Sequence, residues 1–205
     1  MRLIVCLPGS NFSRRFVECW TNLLLYSKQA NIDLLPVFAE SSNVYHLRSQ
    51  CLGADYRRGI QQKPFNGQVP YDYILWLDSD MVFDPTQVVR LITHKVDIVG
   101  GYYFSDGGKV LTCGGFNAGQ MPINFTEKEL VGLPKTCFLT EVGFNGFGFM
   151  LIKHGVFESI EYPWFEPHFT TLDNLRDFSG EDTGFCLEAR RKGFKVFIDT
   201  TVKLG

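Results

Sequence analysis

The sequence predicts an α/β fold, doubly wound about a mainly parallel sheet in its first half, with a smaller mixed-sheet section in its second. Three observations carry that expectation. Short β-rich apolar runs alternate with stretches of helical periodicity through the first hundred residues, the pattern of β-α-β units whose crossovers lay helices on a parallel sheet. The run Tyr73-Ile74-Leu75-Trp76-Leu77 is apolar throughout, as a strand covered on both faces must be. At 205 residues the chain has room for one α/β domain with a sizeable core and little room for two.

Arg2 to Leu7 is a short apolar strand closed by Pro8-Gly9, which must turn. Phe12, Phe16, Cys19, Leu23 and Leu24 recur at helical spacing, so an amphipathic helix is expected from Ser13 to about Gln29. Ile32 to Phe38 reads as a second strand, placed by Pro36 at an edge or irregularity. Val44, Leu47, Cys51 and Leu52 give a second helical face ending at Gly53, and the polar, Gly-rich stretch from Arg57 to Gln68 reads as a loop. After the Tyr73–Leu77 strand, Asp84-Pro85 supplies an N-cap and a first-turn proline for a helix carrying Val88, Leu91 and Ile92. Asp97 to Phe104 is the next strand. The second half changes character. Val110 to Phe116, Cys137 to Phe144 and Phe147 to Ile152 read as strands of the smaller section, and Asn117 to Pro134 as a long loop. A short helix near Val156, a helix from Glu181 to Lys192 and a last strand from Lys195 to Asp199 complete the order.

Composition narrows the function. An apolar fraction of 45% and a charged fraction of 20% are ordinary for a globular protein. A formal charge of −2 speaks against nucleic acid as a partner, since phosphate binding wants a basic excess. The longest apolar run, near Ile74, is broken by Asp78 and Asp80, so no transmembrane segment is expected, and Arg2 to Pro8 is too short for a secretory signal. Cys6, Cys19, Cys51, Cys113, Cys137 and Cys186 include no C-x-x-C pair, which disfavours structural zinc and suits small buried thiols in a reducing, cytoplasmic compartment.

The chemistry concentrates in Asp78-Ser79-Asp80, where a buried strand runs out into a D-x-D. Two carboxylates at a strand exit can hold a hard divalent cation, Mn²⁺ or Mg²⁺, that bridges to phosphate oxygens. They can also simply end a strand and start a turn. Gly180 before Glu181-Asp182 sets two acids at a helix start, where the dipole favours negative charge. One of them can serve as a general base, or both can be ordinary N-terminal acids. Gly9 either lets a flat ring approach the backbone or makes a tight turn.

Taken in order, these segments resemble the GT-A glycosyltransferases, especially the family-2-like enzymes of bacteria and large DNA viruses. The matching run is Tyr73 to Phe83; His46-Leu47-Arg48-Ser49 resembles a short arginine segment upstream. Val99-Gly100-Gly101-Tyr102-Tyr103 and Gly143 to Ile152 look like segments lining the donor-sugar and acceptor pocket, and Ser179 to Phe185 like the acidic motif beside the acceptor. The short domain and loop style resemble virus-encoded members that decorate a capsid protein. The resemblance implies a single domain over 1–205, with a Rossmann-like nucleotide-binding half (1–104) and a sugar/acceptor half (105–205), and leaves room for a longer protein of which this is the N-terminal part. It implies a nucleotide-diphosphate sugar, commonly of uridine, as donor and a glycan or glycoprotein hydroxyl as acceptor. Pro8, Gly9 and Ser10 would lie at the base and Arg48 at the base or phosphates. Asp78, Ser79 and Asp80 would hold the diphosphate, and Gly101 and Gly146 would line the donor pocket. The metal ligands would be Asp80 first and Asp78 second, and the catalytic base Asp182, with Glu181 next. Many relatives add a histidine ligand after the last strand; none of His46, His94, His154 and His168 stands there. Tyr102, Tyr103, Phe144, Phe147, Trp164 and Phe165 are candidates to stack on sugars.

Three rivals remain on sequence alone. Asp78-Ser79-Asp80-Met81-Val82 also fits the D-x-D-x-[TV] of haloacid-dehalogenase-like phosphatases, in which Asp78 would be the nucleophile, although two β-α units precede its strand here. A sugar nucleotidyltransferase would want a basic, Gly-rich loop after the first strand, unlike Pro8-Gly9-Ser10-Asn11. A non-catalytic nucleotide-sugar-binding module would look the same.

Overall fold

In a computed structural model, which describes residues 1–105, 107–172 and 174–205, the first half follows the predicted order. Strand β1 (Arg2–Pro8) leads to helix α1 (Arg14–Gln29), whose N-cap Ser13 accepts from the Phe16 N–H. The helix buries Phe16 and Leu23 but leaves Leu24 exposed. Strand β2 (Asp33–Ala39) and helix α2 (Val44–Cys51) follow; the Asn43 side chain accepts from the Tyr45 and His46 N–H groups and fixes where α2 begins. Residues 57–68 are not wholly irregular, since they join 3-10 turns at Tyr56–Arg58 and Pro64–Gly67. Strand β3 (Tyr73–Leu77) is buried at every position. Helix α3 (Pro85–Thr93) carries a reciprocal capping box between Asp84 and Gln87, and strand β4 (Ile98–Tyr102) closes the half.

The second half departs further from expectation. The run from Val110 breaks at Thr112: β5 (Phe104–Ser105) pairs with β6 (Val110–Leu111), and β7 (Cys113–Phe116) pairs with β8 (Pro122–Asn124). The stretch expected as a loop, 117–134, therefore contains β8 and a helix, α4 (Glu127–Gly132), started by a capping box between Thr126 and Glu129 and anchored by fully buried Leu130. Beyond it come β9 (Leu139–Val142), β10 (Phe144–Asn145), β11 (Phe149–Lys153) and α5 (Val156–Ser159). A hairpin absent from the sequence reading, β12 (Phe169–Leu172) with β13 (Leu175–Phe178), precedes α6 (Glu181–Arg191) and β14 (Val196–Lys203).

The seven-stranded sheet has the order β2-β1-β3-β11-β4-β14-β9. β2, β1, β3, β4 and β14 share one direction, while β11 and β9 run against them. Strand β11, expected in the smaller section, instead occupies the centre, antiparallel to both β3 and β4. The sheet thus crosses residue 104. Its core lies in two layers, as alternation demands. Ile4, Cys6, Ile74, Trp76, Met150 and Ile152 face one side; Leu3, Val5, Leu75, Leu77, Val99 and Leu151 face the other. All six cysteines are free, four of them buried as expected, but Cys137 is exposed. Among the described residues no helix is long and apolar enough to cross a membrane.

Because β11 is antiparallel, its start meets the carboxyl ends of β3 and β4, with that of β1 one strand further along the same rim. Gly148, Gly9, Asp78 and Tyr103 therefore gather on one rim of the sheet, where ligands of open α/β sheets bind.

Candidate functional site

The chain leaves β3 at Leu77 and turns at once. The Asp78 N–H donates to the Gly148 carbonyl at 3.1 Å, and the Met81 N–H to the Asp78 carbonyl at 3.1 Å. The Ser79 carbonyl accepts from the Ser13 N–H at 3.1 Å, which ties the turn to the start of α1. Gly9 takes φ +117°, and a side chain there would meet Ser79 Oγ at 3.5 Å; the backbone shape therefore favours glycine before any ligand is considered. Pro8 is buried, Gly9 half-buried and Ser10 exposed. Pro8, Val44, Leu47, Arg48, Asp78, Ser79 and Asp80 line a cleft of about 290 Å³.

Arg48 is the pivot of this cleft. Its guanidinium makes a fork to Asp78, Nη1 to Oδ1 at 2.7 Å and Nη2 to Oδ2 at 3.1 Å, and reaches Glu181 Oε1 from Nη2 at 3.3 Å. It lies 5.3 Å from the Trp76 ring centre and 5.1 Å from that of Phe147. Arg48 is 4% exposed, not the half-exposed helix arginine that its position on α2 would suggest. Burial opposes its charge, but Asp78 and then Glu181 outweigh that and push the guanidinium further up. The fork occupies both oxygens of Asp78. Asp80, by contrast, is exposed and makes no ion pair or side-chain hydrogen bond among the described residues.

The acids of α6 face the same place from the other side. Glu181 is held by Arg48. Asp182 is half-buried, its Oδ1 accepting from the Thr183 N–H at 2.6 Å and the Thr183 hydroxyl at 3.2 Å. Burial, and then the charge of Glu181, push its carboxyl up to about 6, against the Thr183 hydrogen bonds and the cation of Arg48. A carboxylate so placed is poised to take a proton near neutrality. Tyr103, expected as a sugar-stacking ring, is half-buried between the two acidic segments. Its oxygen accepts from the Gly148 N–H at 2.8 Å, and burial, then the charge of Asp78, push the phenol far up.

Several expected residues are elsewhere or otherwise occupied. A side chain at Gly101 would lie 2.7 Å from the Val202 carbonyl, and one at Gly146 would strike the Tyr103 hydroxyl; both glycines make room for packing. Tyr102, Phe144, Phe147, Trp164 and Phe165 are at most 5% exposed, so these rings are core and not stacking platforms. Of the histidines, His94 pairs with buried Asp199 at 2.7 Å, His168 with Glu188 at 3.2 Å and His154 with Glu158 at 3.7 Å, while His46 is exposed. Among the described residues no group of three or more His, Cys, Asp and Glu is arranged to hold a metal. The larger cleft of about 660 Å³ between α3 and β9 contains none of the expected site residues.

No family model matches the chain, and no curated protein matches its sequence. Among solved structures, A197 from STIV superposes with a TM-score of 0.56 at 18% identity, over 99% of this chain and 83% of that one. At that identity the likeness shows a common α/β fold.

Proposed function

We propose that the protein is a metal-dependent glycosyltransferase, moving a sugar from a nucleotide-diphosphate donor, of uridine by preference, to a hydroxyl of a glycan or glycoprotein. One observation carries the reading. The D-x-D turn and the acids of α6, about a hundred residues apart, meet through Arg48 at the carboxyl rim of the sheet. In this reading the diphosphate lies at the D-x-D turn and the proton acceptor on α6.

A hard divalent cation needs oxygen donors with open positions beside them. Asp80 suits it: an exposed carboxylate with no competing partner among the described residues, and Mn²⁺ or Mg²⁺ needs only one or two carboxylates when phosphate and water complete the shell. Asp78 joins as a second ligand only if Arg48 turns its fork from Asp78 to the diphosphate. Lewis-acid stabilisation of the departing diphosphate is what the cation would supply. Arg48 contributes a fixed positive charge at the same leaving group, and the buried rings beneath it keep water from its inner face. Asp182 accepts the proton of the attacking hydroxyl, and Glu181, neutralised by Arg48, holds the start of α6 against the cleft. Pro8 and Gly9 offer a flat backbone edge for the base. The phosphatase alternative fares worse, because both Asp78 oxygens are engaged by a buried arginine and so are not free to attack.

Calorimetric titration of UDP-glucose, UDP-galactose, UDP-N-acetylglucosamine and GDP-mannose, with and without Mn²⁺, tests the reading. Wild type should bind at least one donor only with the metal present, and Asp80→Ala should lose that binding while keeping its circular dichroism. Undiminished donor binding by the variant would remove Asp80 from the site.

A further inference from the structure

Helix α2 presents two faces to two clefts. Val44, Leu47 and Arg48 line the donor cleft, whereas Tyr45, His46 and Ser49 line a second cleft of about 350 Å³, closed opposite by the segment from Tyr162 to Pro167. The floor of this second cleft is apolar. Phe165 is 1% exposed, and the Tyr162 ring stands edge-on to buried Trp164 at 5.5 Å. Its rim is polar and uncommitted. His46 and Glu166 are exposed, Tyr162 is half-buried, and among the described residues none of the three side chains makes a hydrogen bond or ion pair. An apolar floor under unspent donors and acceptors is what a pyranose needs, with its C–H face on rings and its hydroxyls on the rim.

The cleft also borders the acids of α6. The Tyr45 hydroxyl donates to the Ser179 carbonyl at 3.0 Å, two residues before Glu181. Burial first, then the charges of Glu181 and Asp182, push the Tyr45 phenol up, so both acids lie within electrostatic reach of this wall. Glu166 and Pro167 belong to the same segment that continues through the β12–β13 hairpin into α6.

We infer that this cleft seats a sugar ring of the glycan acceptor, on the opposite side of α2 from the donor, with the half-buried Tyr162 ring beneath it and His46 and Glu166 on its hydroxyls. The inference rests on the transferase reading for its direction, since that reading assigns α6 to the acceptor. Its test does not need turnover. ¹⁵N-labelled protein is titrated with methyl glucoside, galactoside, mannoside and N-acetylglucosaminide, with and without UDP and Mn²⁺. At least one hexoside should shift the amides of His46, Tyr162 and Glu166. Glu166→Gln, on an exposed side chain that leaves folding intact, should weaken that hexoside roughly fivefold, the size of one lost hydrogen bond. Tyr162→Ala should weaken it further, and both variants should keep wild-type donor affinity. Silence with every hexoside, shifts confined to other surfaces, or full affinity in both variants would overturn the assignment. Donor binding retained beside silent hexosides sinks the subsite and spares the transferase; hexosides binding here without any nucleotide-sugar binding does the reverse.

Discussion

Asp182→Asn removes a charge that the folded chain disfavours. Burial, and then the charge of Glu181, raise this carboxyl from 3.8 to about 6. At about 1.4 kcal/mol per unit, the shift costs the native state at most about 3 kcal/mol at neutral pH, and about half of that once residual solvent contact is discounted. Between about pH 4 and 6 the folded chain binds more protons than the unfolded one, so this group's contribution to stability falls as pH rises through that window. Below about 4 both states are protonated and the penalty vanishes; above about 6 it is complete. Asparagine does not titrate, and its Oδ1 can still accept the Thr183 N–H that Asp182 accepts at 2.6 Å. Relative to wild type, the variant should therefore gain stability as pH is raised from about 4 to 6.5, levelling off after about 1–3 kcal/mol. Urea unfolding at half-unit pH steps measures this difference. A gap that stays flat with pH, or one that closes as pH rises, would refute the argument that burial dominates at Asp182. The same variant should retain donor affinity and lose at least about a hundredfold in transfer, while the wild-type rate should rise with pH through about 6.

Arg48→Ala leaves Asp78 and Glu181 without their buried cation and should lower stability by about 3–5 kcal/mol. Arg48→Lys should recover only part, since an ammonium cannot make the fork to Asp78; equal urea midpoints for all three proteins would contradict this. Gly148→Ala would place a methyl 2.6 Å from Tyr103 Cζ and should cost about 1–3 kcal/mol through overpacking. In a double-mutant cycle with Tyr103→Ala that loss should shrink, and simple additivity would show that the two do not crowd each other. Under native conditions a thiol-reactive disulfide dye should label exposed Cys137 well before the buried Cys6, Cys51, Cys113 and Cys186, and Cys137→Ser should abolish the fast phase.

The first-half elements were legible because each is written in local terms. Ser13, Asn43 and Asp84 cap α1, α2 and α3 through contacts within three residues, and β3 shows its double burial in five consecutive apolar side chains. The second half differs from expectation both where a local signal exists and where none does. Thr126-x-x-Glu129 is a capping box in plain sight, yet the polar run around it read as loop. Nothing local distinguishes β11 as the central strand of the sheet, because an apolar run looks alike whichever neighbours it takes. The burial of Tyr102, Phe144, Phe147, Trp164 and Phe165 is likewise not legible locally, since a ring prepared for a sugar and a ring prepared for the core have the same sequence.

What the chain determined by itself is the sequence of elements along the carboxyl rim and the presence there of a D-x-D and a pair of helix-start acids. Those features depend on periodicity and capping, which act over a few residues. Only the tertiary structure decided that Arg48 joins Asp78 to Glu181 across 30 and 133 residues, leaving Asp80 as the exposed carboxylate of the pair. A guanidinium shut away from water is stable only between opposite charges, and which charges reach it is settled by the packing of α2 and α6 around Trp76 and Phe147.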